Sequence, residues 1–160
     1  MAEPATINPR IIDGLYCEAL VLSDEVRAAF DLSGGIDLHA VQHNRAEDDA
    51  ARLAFSCEAL RTTTRMMHAL AWLLNHRAFI SGELSEFQLK RHGRLASDRS
   101  SADPVQLGQL DVETRALVEA TMRFYARLVR LDRDWRERDP HTLSAVARLR
   151  ERIGSSIARY

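Results

Sequence analysis

His39 and His43 stand four residues apart with Asp37 close by, the spacing at which two helical imidazoles can share a metal ion. Their segment, LSGGIDLHAVQHNR (32–45), has the pattern of a loop, and no third nitrogen or thiolate ligand is near in sequence. A metal site is not expected there. His68 and His76 bracket Trp72 at a spacing of eight. On a helix that sets them two turns apart, too far to share one ion, and the expected role is helix surface or subunit contact. Thr62, Thr63 and Thr64 are three hydroxyls in a row, but successive helical positions diverge by roughly 100°, so they form no nucleophilic cluster. Thr64 is expected on the core stripe, its hydroxyl bonded back to a carbonyl one turn earlier.

No G-x-S-x-G, HExxH, P-loop or GxGxxG sequence occurs. Cys17 and Cys57 are the only cysteines, neither in a CxxC nor near a His at ligand spacing, which argues against a disulfide scaffold or a structural zinc. The expectation is a protein with no catalytic residues, no metal and no cofactor, and therefore not an enzyme.

The elements that position these residues follow from composition. At 160 residues with 46% hydrophobic and 28% charged side chains, the chain suits one domain, 1–160, with one core. Glycine (7) and proline (4) are few, while Ala, Leu and Arg dominate, so local preference points to helix throughout. The N-terminus MAEPATINPR lacks a signal peptide's basic and apolar regions, and no run approaches the ~18 apolar residues of a membrane span. A cytoplasmic protein away from the membrane is expected, with residues 1–7 flexible.

Three segments repeat a 3-4 alternation of apolar residues. The first, about 8–31, carries Ile12, Leu15, Ala19, Leu22, Val26 and Ala29, with Asn8 and Pro9 as its start signal. The second, about 46–81, carries Leu53, Cys57, Leu60, Thr64, Met67, Ala71, Leu74 and Ala78, the expected core stripe. Beside it runs a second row, Met66, Leu70, Leu73 and Ile80, which calls for another neighbour or a second subunit. Gly82 is the expected cap, and Ser85 opens a short amphipathic turn to about Arg91. The third, about 107–138, carries Leu110, Thr114, Leu117, Thr121, Phe124, Leu128, Leu131 and Trp135, and Asp139–Pro140 ends it. Leu143, Val146, Leu149 and Ile153 predict a short C-terminal helix within 141–160. The expected fold is all-α: an antiparallel three-helix bundle with that extra helix, slender enough to pair as a homodimer.

Charge is uneven. Residues 1–60 hold 4 Arg against 11 Asp and Glu, and residues 121–160 hold 10 Arg against 5. A DNA-associated regulator using the basic C-terminal third is one alternative function, and a structural dimer without further partners is another. Against nucleic acid, Glu119, Asp134 and Glu137 stand four residues from Arg123, Arg130 and Arg133, where they pair with arginine on a solvated helix.

Three blocks carry a resemblance: LYCEALVLSDEVRAAFD (15–31), FSCEALRTTTRMMHALAWLLNHRAFISGELSE (55–86) and VETRALVEATMRFYARLVRLD (112–132). They resemble the alphaproteobacterial RcdA family, regulators of CtrA degradation. The middle block is the most specific, with Arg61, Thr63, Thr64, Arg65 and Met67 leading into Ala71, Trp72, Leu73 and Leu74, then Arg77, Gly82 and Glu83. The resemblance implies a dimeric three-helix bundle that acts without catalysis as an adaptor for the ClpXP protease in cell-cycle control. It implies as partners a ClpX unfoldase primed by a single-domain response regulator, and proteolytic substrates or a cyclic-di-GMP-binding adaptor. Recruitment to a cell pole would fit such a role. On this basis Arg61, Thr63, Arg65, Met66, Leu70, Trp72, Leu73, Arg77 and Glu83 are the candidates for protein interaction or dimer contact. The departure lies at the C-terminus, where some relatives carry a polar, flexible tail connected with cargo handling, whereas here the third helix is expected to be followed by an amphipathic segment ending RIGSSIARY.

Overall fold

A computed structural model describes residues 7–33, 45–96 and 104–137. The expectations for residues 1–6, for most of the connector with His39 and His43, and for residues 141–160 lie outside that range. The described residues are helical, without strands: α1 (Pro9–Ser33), α2 (Arg45–Ile80), α3 (Glu86–His92), α4 (Pro104–Gly108) and α5 (Val112–Glu137). The all-α fold and the three long helices agree with the sequence reading.

Local chemistry sets the ends. The Asn8 side chain accepts the Arg10 N–H at 2.9 Å, leaving Pro9 at the first helical position, where its missing donor costs nothing. After α2, Glu83 N–H reaches the Ala78 carbonyl at 2.8 Å and Gly82 N–H that of Phe79 at 3.1 Å, a Schellman closure. It requires the left-handed φ of +81° at Gly82. Ser85 and Gln88 then form a reciprocal capping box for α3. The expected single helix over 107–138 is divided in two, because Asp111 turns its carboxylate onto the Thr114 N–H at 2.8 Å and caps α5 there.

Cross-helix pairs give the directions. Along α1 and α2, Asp13 meets Arg77 and Phe30 meets Phe55, so the two are antiparallel. Along α2 and α5, Arg65 meets Thr121, Trp72 meets Asp132 and His76 meets Trp135, so these two run parallel. The third long helix therefore points the same way as the second, contrary to the hairpin expected between them. The intervening chain carries α3 and α4, and α4 lies back beside the middle of α2, where Gln106 accepts from Arg61 at 2.6 Å. That return lets α5 start level with mid-α2.

Ile12, Leu15, Ala19 and Val26 of α1, Met66, Ala69, Trp72 and Leu73 of α2, and Phe124, Tyr125 and Leu128 of α5 make one core. Burying each of the larger side chains contributes on the order of 1.5–3 kcal/mol. The stripes read for α1 and α5 hold, with Leu22, Ala29, Leu117 and Leu131 at the half-buried margins.

Candidate functional site

Helix α2 touches all the other helices in the bundle, and its faces differ from the expected ones. The face toward α1 and α5 carries Ala54, Glu58, Thr62, Arg65, Met66, Ala69, Trp72, Leu73 and His76, all buried. The stripe read as the core points outward: Leu53, Leu60, Met67 and Leu74 are 63, 70, 63 and 48% exposed. Thr64 and Ala71 between them are exposed too. The row read as the second wall, Met66, Leu70 and Leu73, is the inner one, with only Ile80 left exposed. The physical reason is that four of the inner positions are polar. A helix about as apolar outside as inside gives hydrophobic periodicity no face to prefer.

Those inner polar groups are held in two clusters. Near the middle of α2, buried Glu58 takes a 2.6 Å ion pair from Arg61, which also donates to Gln106 of α4. One turn on, Arg65 donates to the Thr121 hydroxyl at 3.1 Å, and that hydroxyl donates to the Val118 carbonyl at 2.7 Å. Glu58 Oε2 and Thr62 Oγ1 are buried and without a hydrogen-bond partner among the described residues.

Toward the C-terminal end of α2, Trp72 Nε1 donates to Asp132 at 3.0 Å, while Arg136 Nε reaches both oxygens of the same carboxylate at 3.1 and 3.0 Å. His76 lies between Trp72 and Trp135, with ring centroids 4.1 and 5.1 Å away. Burial pushes its pKa down to about 4, opposed by the Asp132 carboxylate and reinforced by Arg136. The imidazole is neutral at pH 7, and its Nε2 has no partner among the described residues.

The interaction candidates from the sequence divide accordingly. Arg65, Met66, Trp72 and Leu73 belong to the interior, and Leu70 packs half-buried against it. They are not a free surface. Arg61 is part-buried in its ion pair. Arg77 bridges to α1, 3.1 Å from Asp13 and with its guanidinium 4.5 Å from the Tyr16 ring centroid. Thr63 and Glu83 remain exposed, Glu83 accepting from Ser81 at 3.1 Å.

Asp132 was missed, yet it carried a signal: an acid between Leu128 and Trp135 on the apolar face of α5 needs a buried partner. Glu58 gave a weaker one. Among the described residues no group of three or more His, Cys, Asp or Glu could hold a metal ion. No helix there is long and apolar enough to cross a membrane. On α5, Arg123 and Arg133 pair with Glu119 and Glu137 at 3.7 and 3.9 Å, and Arg127 grips Glu18 of α1 through two bonds of 2.7 and 3.0 Å. The pairing expected of Glu119 and Glu137 is formed, whereas Asp134 sits 3.6 Å from Arg133 rather than against Arg130.

These features define a class: a helical bundle tied internally by polar clamps, with one helix face whose apolar side chains are exposed among the described residues. Within that class, the chain belongs to the DUF1465 family, proteins of unknown function, whose profile matches residues 4–157. No curated protein and no solved structure matches the chain.

Proposed function

We propose that this protein is a non-enzymatic, homodimeric adaptor in regulated proteolysis, similar to RcdA, which links substrates or other adaptors to ClpXP in the cytoplasm. The observation that carries the reading is the outer face of α2. It is a largely apolar strip about 38 Å long from Leu53 to Ala78, all but its first turn inside the block that most resembles RcdA, and the described residues leave it open. A surface of this kind binds protein helices. The arginine pairing on α5 weighs against the DNA-associated alternative.

The test is reconstituted degradation with ClpXP, its priming response regulator and candidate substrates, including a cyclic-di-GMP-binding adaptor, with and without the protein. Faster turnover of at least one substrate is expected, together with association of the protein with the primed unfoldase. Unchanged turnover of every candidate and no association would remove the reading. Binding to random duplex DNA at two salt concentrations tests the alternative, for which a steep salt dependence is the signature.

A further inference from the structure

The outer face of α2 repeats every seven residues. Leu53, Leu60, Met67 and Leu74 form one row, and Cys57, Thr64, Ala71 and Ala78 the other, in the 3-4 alternation of a coiled-coil seam. One row is large and the other small. A second helix laid parallel in register would set large on large and small on small in alternating layers, too wide at one and hollow at the next. Laid antiparallel about a two-fold between residues 65 and 66, the rows interlock. Leu53 then faces Ala78 of the other copy, Cys57 faces Leu74, Leu60 faces Ala71, and Thr64 faces Met67. Large meets small in every layer, which is what close packing of two helices requires.

We infer that this face receives a second copy of the same chain, antiparallel, through that register. The inference deepens the homodimer part of the proposed function and rests on it, but does not depend on the proteolytic part. Self-complementarity favours a second copy over an unrelated helix, because each layer is completed by the same sequence read backwards. The chain's own C-terminal stretch fits less well, since Leu143 to Ile153 would span only about 15 Å as a helix, under half the strip. A strip about 38 Å long and about 12 Å wide buries roughly 900 Å² over both copies, below the ~1,200 Å² at which stable interfaces begin, so a weak association with affinity in the micromolar range is expected.

Charged substitution and cysteine cross-linking test it together. At tens of micromolar the full chain should sediment at twice its 18.1 kDa protomer mass, and Leu60→Glu with Met67→Glu should halve that mass while leaving helicity unchanged and removing the concentration dependence of Tm. In a Cys17→Ala background, oxidation should leave Cys57 alone uncoupled, because the two copies of Cys57 lie 17 residues apart along the antiparallel pair, about 25 Å. Adding Leu74→Cys should create a covalent dimer, and removing Cys57 from that variant should abolish it.

A covalent dimer through Cys57 alone would overturn the antiparallel register. A monomeric full chain would overturn the dimer, and dimerisation only after truncation at residue 137 would assign the strip to residues 138–160. Degradation assays on the Leu60→Glu, Met67→Glu variant separate the two readings: a monomer that still supports turnover keeps the adaptor and removes the need for a dimer, while a confirmed dimer that accelerates no substrate removes only the adaptor.

Discussion

Trp72 and Asp132, sixty positions apart in sequence, are joined by a buried 3.0 Å hydrogen bond that ties α2 to α5 at the end of the bundle. The same carboxylate holds Arg136 in a two-oxygen grip, so one acid serves two donors. Asp132→Ala strands both, and loss of about 2–4 kcal/mol is expected by urea unfolding. Trp72→Phe removes one donor and leaves the ion pair, at a cost of about 1–2 kcal/mol from the lost bond and the smaller ring. Equal costs for the two would mean that Asp132 acts only through the indole.

His76 predicts a pH dependence. Its folded pKa, about 4 against an ordinary 6.5, means that below pH 6.5 the unfolded chain binds a proton that the folded chain refuses. Stability is therefore full above pH 6.5 and falls as the pH drops toward 4, by roughly 3 kcal/mol in all. His76→Phe keeps a ring between Trp72 and Trp135 and removes the titrating group. Unfolding free energies of the two proteins measured from pH 7 to pH 4 should diverge in favour of the variant, and parallel curves would refute the assignment.

Gly82 is a backbone prediction. At φ +81° with no atom near where a Cβ would sit, the position has room for a side chain but not the conformation for most. Gly82→Ala is expected to cost about 1–2 kcal/mol, and Gly82→Asn less, since Asn tolerates the left-handed region. Thermal unfolding should rank them in that order. Glu83 and Leu84, whose N–H groups both reach the Ala78 carbonyl, should show the largest rise in amide exchange.

Much of the fold was legible from the residues. Asn8–Pro9, Gly82 and Ser85 marked real boundaries because capping is local chemistry, complete within four or five positions. The stripes of α1 and α5 were legible because each of those helices buries one dominant apolar face. Helix α2 was not, since Glu58, Thr62, Arg65 and His76 occupy its inner face, and the groups that accommodate them, such as Thr121 beside Arg65 and Trp135 beside His76, lie far along the chain. The parallel course of α5 was hidden for a related reason. It depends on how the short α3 and α4 return along α2, and neither shows a long enough pattern to carry a direction. The apolar row that misled the core assignment was nonetheless a true surface, only facing the other way.

Arg65 and Met67 separate interior from surface within two positions. Arg65 is 2% exposed and bonded to Thr121, whereas Met67 projects from the outer strip. Arg65→Glu buries an unpaired carboxylate and loses the donor to Thr121, so destabilisation by about 4 kcal/mol or more, or outright unfolding, is expected. Arg65→Met keeps the apolar stem without introducing a new charge and should cost less. Met67→Glu and Thr63→Glu should stay within about 0.5 kcal/mol of the parent protomer. Circular dichroism and urea titration of the four variants decide the matter. If Arg65→Glu were as stable as Met67→Glu, the inner placement of Arg65 would be wrong, and with it the assignment of the outer strip as the face of α2 that is free to bind.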